Sequence, residues 1–296
     1  MGFKNDGDFT ITNYLNLTDQ HSGSSVEQVP FSVGNSGPHT LRGRDKPCNS
    51  FSGFEMSGPE PPPPQPTSFW SMDDVDLVGS VVLDLAGAND GILSGTVTTG
   101  AVGQIEEAFI FPTGSLGYVT FGDVLDQTTG SFSVSAWFSY DGIGSGQNSS
   151  LVNKGGSSVG TPPNAGYSLQ LSEPANNIRF VLVDATTTVI AAAPSLPSTG
   201  AFHQAVGVCD RENDEVRFYL DGALQEITAI PGGFGSITTN LHFSLAGQDL
   251  SPTATPPQGF LTGSQDETGY WDGIALSDSD VLKIYTLGTN GQKLVS

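Results

Sequence analysis

Apolar and polar residues alternate with a period of two along several short stretches of the chain. In EVRFYL, residues 215–220, every second residue from Val216 onward is apolar. This period places the apolar side chains on one face of a β-strand and the polar ones on the other. Asp221 and Gly222 follow, and they predict a type I′ turn because both of its central positions need a positive φ. The pattern therefore predicts a hairpin whose return strand begins near Leu224.

Nine further segments share this composition, and glycine-rich stretches separate them. The clearest is SFSVSAWF at 131–138, where apolar residues alternate with three serines and a tryptophan. No internal repeat typical of a propeller is visible, so the strands favour a sandwich or jelly roll. With the hairpin, the predicted strands are 68–72, 107–111, 117–121, 131–138, 166–171, 178–184, 203–209, 215–220, 224–228, 241–246 and 267–272.

One helix is predicted close to the C-terminal end of the chain. Ser277 has the character of an N-cap, and Asp280 stands three residues later, as in a capping box. Gly288 is the residue type that most often follows a helix end. We therefore expect a helix over 278–287 in an otherwise all-β domain.

The first 57 residues form a distinct N-terminal arm with too few apolar residues for an independent core. Three of the ten basic residues of the chain lie close together there, as Arg42, Arg44 and Lys46. We expect the arm to become ordered against a partner, with these basic residues as candidate attachment points. A flexible tail is the alternative.

A proline-rich linker connects this arm to the β-rich domain. Residues 58–67 contain GPEPPPPQP, in which consecutive prolines favour the polyproline II conformation. The segment is therefore predicted to act as a semi-rigid spacer in front of a domain over 68–296.

The charge of the chain excludes two classes of partner. Acidic residues outnumber basic ones 31 to 10, which gives a formal net charge of −21. Such a surface repels nucleic acid and anionic lipid. No apolar run approaches the ~20 residues that a membrane-spanning helix needs, so we expect no membrane insertion.

The two cysteines do not indicate a disulfide framework or a zinc site. Cys48 and Cys209 fall in different predicted regions, and Cys209 fits a small buried hydrophobe. The first residues carry no apolar segment typical of a secretory signal. We therefore expect synthesis in a cytoplasm.

From residue 68 to about 288, the order of motifs resembles the laminin-G-like branch of the concanavalin A-like lectin/glucanase jelly rolls. No single motif decides the resemblance, but seven occur in the order typical of the family. They are LDLAGANDGILSG (83–95), AFIFPTGSLGYVTFGD (108–123), SFSVSAWF, LVNKGG (151–156), GYSLQL, VRFYLDGAL and DETGYWDGIALSDSDVLKIY (266–285).

The resemblance implies a two-sheet antiparallel sandwich of about fourteen strands that binds glycans or proteins, often with a structural calcium ion. Carried onto this sequence, the family's calcium ligands are Asp84, Asn89 and Asp266, with backbone carbonyls from the turn at 84–91. These are hard oxygen ligands from two distant segments. Asp90 and Glu267 are left out, because one member of each acidic pair should face solvent. An Asx-turn at Asp84 is the structural alternative.

A second, short resemblance concerns the N-terminal arm. The segment FSVGNSGPHTLRGRDKPCNSFSGFEMSG (31–58) is similar to a segment common in structural proteins of tailed phages. It implies a virion as the setting, with other virion proteins as partners of residues 1–57, and with the chain present as a homo-oligomer or in several copies on the particle.

The chemistry expected of an enzyme of this fold is not recognisable in the sequence. Glycosidases need two carboxylates placed about the scissile bond, and the nearest candidates, Glu212, Asp214 and Glu215, fall at a predicted turn. The four histidines are scattered, none near an evident nucleophile, and His203 fits a structural position. We therefore expect no catalytic residues.

Sugar binding would need exposed aromatic side chains beside polar groups. Phe234 and Phe260 are candidates because they lie in Gly/Pro-rich loops, and Trp271 is a third. Packing in the core is the alternative for each.

These observations lead to one hypothesis and two alternatives. The hypothesis is a non-enzymatic virion surface protein, a capsid decoration or a tail-associated protein, that displays a lectin-like domain to cell-surface glycans. The alternatives are a bacterial polysaccharide-acting enzyme or its accessory domain, and a structural clamp without a ligand.

Overall fold

The computed structural model describes residues 61–143, 147–157, 164–253 and 256–295, and also two short N-terminal strands. The strands β1 (Leu15–Asn16) and β2 (Gln28–Val29) pair antiparallel. The chain divides between Pro59 and Glu60 into two compact units. The candidate attachment residues Arg42, Arg44 and Lys46 lie outside the described residues. Cys48, His21 and His39 also lie outside them.

The second unit contains an antiparallel sheet of eight strands. Their order is β17-β16-β15-β10-β19-β8-β7, and β3 pairs with β19 beside this path. These strands are β3 (Ser68–Trp70), β7 (Thr98–Val102), β8 (Glu107–Phe111), β10 (Phe132–Tyr140), β15 (His203–Asp210), β16 (Glu215–Leu220), β17 (Ala223–Ala229) and β19 (Gly263–Asp272).

A second antiparallel sheet of nine strands packs against the first. Its order is β14-β13-β12-β11-β18-β9-β6-β5-β4. These strands are β4 (Leu77–Val78), β5 (Val81–Val82), β6 (Gly91–Ser94), β9 (Tyr118–Thr120), β11 (Asn148–Ser157), β12 (Asn164–Ser172), β13 (Asn177–Val183), β14 (Thr188–Ala192) and β18 (Ser244–Leu245). The predicted all-β sandwich is confirmed.

The main core lies between the two sheets. Phe132 of one sheet and Tyr167 of the other stand 4.8 Å apart between ring centroids, and Phe180 packs against Phe132. These side chains come from the strands in which alternation was clearest, because a period of two points alternate residues into the core. Cys209 is buried in the same cluster, as expected of a small hydrophobe.

Each of the eleven predicted segments contains a strand, but six of the seventeen strands of the sandwich were missed. β4, β5 and β6 are only two to four residues long, and β7 and β14 are five-residue strands at sheet edges. β11 contains a lysine and two glycines, which disfavour a strand. The predicted strand over 241–246 shortens to Ser244–Leu245.

The predicted hairpin is confirmed, but its polar face is not exposed. Asp221 and Gly222 have φ values of 51° and 74°, as a type I′ turn requires. Arg217 and Tyr219 were expected to face solvent, yet both are buried. The cause is the C-terminal helix, which covers this face of the sheet and forms a second apolar cluster that includes Tyr219 and Trp271.

That helix, α1 (Asp278–Thr289), begins as predicted and ends later. Ser277 and Asp280 form both hydrogen bonds of a capping box. Gly288 does not end the helix but lies inside it, where a Cβ would meet the Trp137 ring at 2.6 Å. The glycine is therefore needed for close packing of the helix on the sheet, and Asn290 is the C-cap.

The described part of the proline-rich segment does not act as a spacer. Pro63 and Pro66 are buried, and the backbone carbonyl of Pro64 accepts a hydrogen bond from Trp271 Nε1 at 2.9 Å. Packing of an apolar proline ring on the domain is favourable because it removes apolar surface from water, and polyproline geometry does not prevent such packing. Residues 61–66 therefore belong to the sandwich domain.

The contact between Gly207 and Phe180 gives a test of the sheet packing. A Cβ at Gly207 would lie 2.4 Å from the Phe180 ring, so we expect Gly207→Ala to cost about 1–3 kcal/mol through overpacking. Gly232→Ala is the matched control, because a Cβ there meets nothing within 4 Å. Thermal unfolding of both variants measures the difference, and equal stabilities would contradict this account of the core.

Candidate functional site

The carboxylate of Asp84 organises the turn that precedes β6. Its Oδ1 accepts hydrogen bonds from the backbone N–H groups of Phe69, Ala86 and Gly87 at 2.9–3.1 Å. Its Oδ2 accepts from the N–H of Asn89 at 3.0 Å. Both oxygens are thus occupied by backbone donors, which is the Asx-turn arrangement named above as the structural alternative.

The other two predicted calcium ligands have separate partners. The Asn89 side chain donates to Ser68 Oγ at 2.9 Å, whereas Asp266 Oδ2 accepts from the N–H of Ile105 at 3.0 Å. Among the described residues, no three His, Cys, Asp or Glu side chains are grouped so that they could hold a metal ion. The structure therefore does not assemble Asp84, Asn89 and Asp266 into one cluster, and calcium binding stays a prediction.

Asp266 instead belongs to a buried acidic cluster that the sequence did not predict. We define the cluster as Asp73, Glu106, Asp266 and Glu267 with Lys293. Lys293 Nζ lies 2.7 Å from Asp73 Oδ2 and 2.8 Å from Glu106 Oε2. Asp73, Asp266 and Glu267 are each at most 4% exposed. Glu267 was expected to face solvent, and its burial is a correction to that expectation.

A β-bulge brings the two acidic residues of β19 into the cluster. The register between β10 and β19 shifts between Ser135 and Trp137, and Glu267 has a φ of 39°. A bulge leaves one strand with an extra residue and redirects its side chain. The acidic pair was visible in the sequence, but Asp73 and Lys293 are distant in sequence and had no local signal.

The electrostatics of the cluster are dominated by burial. Burial, with Asp73 as a second cause, raises the pKa of Asp266 to about 8. Burial, then the charges of Asp266 and Asp73, raises the pKa of Glu267 to about 9. Asp266 Oδ1 and both Glu267 carboxylate oxygens lack a hydrogen-bond partner. The cluster can therefore take up protons.

An aromatic pair stands on the outer face of the nine-stranded sheet. The rings of Tyr118 and Phe260 are 6.0 Å apart between centroids, and both are half-buried. Tyr118 points away from the core because its neighbour Val119 is a core residue. Gly247 lies beneath them, where a Cβ would be 3.0 Å from Tyr118 and 3.2 Å from Phe260.

Polar side chains adjoin this pair, and we call the whole the aromatic–polar patch: Tyr118, Phe260, Thr120, His242 and Asp249. Thr120 shares the outer face of β9 with Tyr118 and donates to Asp249 Oδ2 at 2.5 Å. His242 Nδ1 lies 3.1 Å from the same oxygen. Burial alone would raise the pKa of Asp249, but hydrogen bonds from Thr120 and Ser251 lower it. Asp249 is therefore an ionised acceptor that orients the hydroxyl and the imidazole.

The aromatic–polar patch continues into a row of small polar side chains. Ser244 pairs across the ladder with Thr120 and with Asn153, and Asn153 pairs with Ser168. These three side chains are buried, although their strand neighbours Val152 and Leu245 fill the core. The outer face of this sheet is thus polar at its centre, in contrast to the outer face of the other sheet.

Two of the three predicted ligand-binding aromatics are packing residues. Phe234 is buried, and the Arg211 guanidinium lies 4.7 Å from the centre of its ring. Trp271 is fully buried beneath α1. Neither ring has a face left for a ligand. Burial of a large aromatic side chain is favourable, so position in a loop alone does not predict that the ring is exposed. Phe260 stays a candidate.

His203 does have a nucleophile-like neighbour, contrary to expectation. Its Nε2 lies 3.0 Å from Ser198 Oγ, and its Nδ1 lies 2.8 Å from Asp221 Oδ2. This hydroxyl–imidazole–carboxylate order has the distances of a serine hydrolase triad. Ser198 is exposed on a loop, and Asp221 also accepts from the N–H of Gln204. The five-residue spacing of Ser198 and His203 gave no sequence signal.

Two of the carboxylates first considered for glycoside cleavage, Glu212 and Asp214, are exposed in the turn between β15 and β16, as predicted. Glu215 is instead the first residue of β16 and pairs with Arg217 at 3.3 Å.

Comparisons with known proteins agree with this architecture. A family model described as the concanavalin A-like lectin/glucanases superfamily matches residues 113–282, more than half of the chain. A comparison with curated proteins finds no match.

Several solved structures share the fold. Domain 4 of AbnA, an extracellular arabinanase of Geobacillus stearothermophilus solved with arabinotriose, is 20% identical with a TM-score of 0.54, covering 75% of this chain and 98% of that one. The botulinum neurotoxin serotype D binding domain is 14% identical with a TM-score of 0.53, covering 75% and 50%. Trypanosoma rangeli sialidase with sialic acid is 14% identical with a TM-score of 0.53, covering 76% and 33%. At these identities the similarity shows the fold alone.

The acidic cluster predicts a specific dependence of stability on pH. The pKa values of Asp266 and Glu267 are about 8 and 9 in the folded chain, against about 4 when unfolded. Their contribution to stability is complete below the unfolded pKa and is lost as pH rises through the folded pKa. We expect the melting temperature to fall from about pH 5 to about pH 9 and to level off above this range, where neither state holds these protons.

Asp266→Asn should flatten this fall, because the amide keeps an acceptor for Ile105 but cannot ionise. The exposed Glu212→Gln is the control for general charge. Melting curves of the three proteins across this range give the slopes. If Asp266→Asn has the same slope as the wild type, the buried carboxylate of Asp266 is not responsible for the fall in melting temperature.

Proposed function

The chain belongs to the concanavalin A-like lectin/glucanase superfamily, and from this membership we propose that it is a non-enzymatic glycan-binding protein. The observation that carries the proposal is the half-buried Tyr118–Phe260 pair, which lies beside hydrogen-bonding side chains. Two proteins of similar fold were solved with sugars, arabinotriose and sialic acid, which supports the choice of ligand class.

The chemistry of the aromatic–polar patch suits a sugar ring. A pyranose or furanose has apolar C–H faces that pack on aromatic rings, and hydroxyl groups that need directed partners. Tyr118 and Phe260 supply the aromatic surface. Thr120 and His242 supply polar atoms fixed in place by Asp249. Such orientation before binding lowers the entropy cost of association.

The biological setting is the part of the proposal that rests on sequence alone. Residues 1–57, with Arg42, Arg44 and Lys46, would attach several copies to other virion proteins, and the sandwich would face cell-surface glycans. In the described part of the chain, no helix is long and apolar enough to cross a membrane. Electron microscopy of particles labelled with antibodies to the sandwich would decide whether the setting is a virion.

An ester hydrolase is a second candidate function, favoured by the order Ser198–His203–Asp221. Ser198 Oγ would attack an acyl carbon while its proton passes to His203 Nε2. The alcohol would leave with that proton, and water would then release the acid from the acyl-serine. O-acyl groups on glycans would be the substrate class.

Loss of the aromatic surface should weaken binding to a glycan. We expect Tyr118→Ala and Phe260→Ala each to weaken binding by about tenfold, since an aromatic contact contributes about 0.5–1.5 kcal/mol beyond its buried area. Tyr285→Ala is the control, because this half-buried aromatic packs on Trp137 beneath the other sheet. A glycan array followed by titration calorimetry with the best ligand measures the effect. Unchanged affinity in both patch variants would refute the site, and no binding by the wild type would favour a clamp without ligand.

The hydrolase alternative makes its own prediction. If the triad is active, wild-type protein releases acetate from O-acetylated polysaccharide and from a p-nitrophenyl ester. Ser198→Ala should remove this activity while leaving the melting temperature unchanged, because Ser198 is exposed. Labelling of Ser198 by a fluorophosphonate gives an independent readout. Wild-type protein without turnover or labelling would eliminate this candidate.

A further inference from the structure

We propose that Arg179 binds the carboxylate group of an acidic sugar on the outer face of the nine-stranded sheet. The inference rests on the proposed glycan-binding function and adds the class of sugar. It concerns a part of this face that is separate from the aromatic–polar patch. Arg179 lies on β13 and Tyr118 on β9, four strands away in the sheet, which corresponds to about 19 Å.

The Arg179 side chain points away from the core. Its strand neighbours Ile178 and Phe180 are both core residues, and side chains alternate between the two faces of a strand. Arg179 is half-buried there, and burial lowers its pKa. A guanidinium that has lost part of its hydration is unfavourable unless an anion or hydrogen-bond acceptors compensate for the loss.

Arg179 differs from other buried cations of the domain in its partners. Lys154, Arg217 and Lys293 each form ion pairs with two or three carboxylates. Among the residues that the structure describes, no carboxylate forms an ion pair with Arg179. In a chain with 31 acidic residues, a partly desolvated cation of this kind indicates a site for an external anion.

A neutral amide holds the guanidinium in place. Gln170 is the ladder partner of Arg179 and is 5% exposed. With its amide oriented so that both groups are satisfied, the Gln170 oxygen accepts from Arg179 Nε at 3.0 Å and from Nη2 at 3.1 Å. Gln170 thus fixes the plane of the guanidinium without neutralising it. The edge formed by Nη1 and Nη2 is not used by Gln170, and this edge can bind a carboxylate through two parallel hydrogen bonds.

A groove of about 390 Å³ adjoins Arg179, which is within the range of about 300–1,000 Å³ typical of ligand sites. It is lined by Asn177, two residues earlier on the same face of β13, and by Ala192, the ladder partner of Arg179 in β14. Asn177 Oδ1 is buried without a hydrogen-bond partner, so it can accept from a sugar hydroxyl. Ala193 and Pro194 add apolar surface for the ring.

The charge of the chain limits the ligand to a sugar with one carboxylate. Glu226 also lines the groove, and its Oε2 accepts from the N–H of Ala192 at 2.7 Å. A sugar with one carboxylate can place that group on Arg179 and turn its hydroxyl groups towards Glu226. A polyanion would place further charges against a surface whose net charge is −21. Sialylated and glucuronylated glycans are therefore the expected ligands.

The test compares two matched pairs of sugars by titration calorimetry with the full chain: methyl glucuronide with methyl glucoside, and 3′-sialyllactose with lactose. The wild type should bind the acidic member of a pair at least about tenfold more tightly, because a hydrogen bond to a charged group is stronger than one to a neutral group. Arg179→Gln should remove this preference. Lys283→Gln is the matched control, because it removes a cation from α1 on the other sheet, and it should keep the preference. Heparin oligosaccharides should bind more weakly than the acidic sugars.

Two further variants separate binding from folding. Gln170→Glu places a carboxylate against the guanidinium, so it should keep the melting temperature or raise it and still remove the preference. Arg179→Lys keeps the charge but loses the planar fork, and it should retain only part of the preference. If Arg179→Gln does not fold, Gln170→Glu decides in its place. A preference that persists in Gln170→Glu would overturn the proposal.

The outcomes also distinguish this inference from the proposed function. A wild type that binds neutral glycans through Tyr118 without a preference for acidic sugars would overturn this inference alone. A preference that depends on Arg179, with no effect of Tyr118→Ala, would support it and contradict the aromatic–polar patch. Tighter binding of an acidic peptide than of either acidic sugar would overturn the choice of a sugar.

Discussion

Strand β19 must bury both of its faces, and this constraint shapes the rest of the domain. It pairs with β10, β8 and β3, and Tyr270 faces the core between the sheets while Trp271 faces α1. Burial of a large side chain of this kind contributes on the order of 1.5–3 kcal/mol. An isolated sandwich would satisfy only one of the two faces. The helix at 278–289 and the proline segment at 61–66 supply cover for the other.

The same double burial explains why charged groups occur inside the domain. β19 carries Gln265, Asp266 and Glu267, and all three are buried because this inner strand is covered on both faces. Burial removes hydration from these carboxylates, and this loss is the main cause that raises the pKa values of Asp266 and Glu267. Lys293, which arrives with the segment after α1, offsets part of it. The helix therefore provides apolar cover, and the segment after it provides a cation.

What could be predicted from the sequence depended on the range of the interactions involved. Alternation in 131–138, the turn at Asp221 and the N-cap at Ser277 are local properties, and the structure confirms each of them. Burial of Arg217 and Tyr219 was missed because alternation cannot reveal a helix that packs on the polar face. The same limit applies to Gly288, whose role depends on the Trp137 ring and not on its neighbours in sequence.

Candidate site residues follow the same rule. The acidic pair at 266–267 was recognisable, but its partners Asp73 and Lys293 come from opposite ends of the domain. The approach of Ser198 to His203 depends on a loop conformation that five residues of sequence do not specify. Phe260 was recognised as an aromatic in a glycine-rich loop, whereas its partner Tyr118 was hidden in a short strand.

The two outer faces of the sandwich consequently have different capacities for function. α1 closes the face of the eight-stranded sheet with Tyr219, Trp271 and Trp137, and little aromatic surface is left there for a ligand. The nine-stranded sheet instead carries polar side chains at its centre, with Tyr118 and Phe260 beside them. Polar groups on a sheet face cost stability unless they are hydrogen-bonded. Asp249 forms hydrogen bonds with Thr120 and His242, so these side chains are already oriented, and binding of the proposed glycan would not need to order them further.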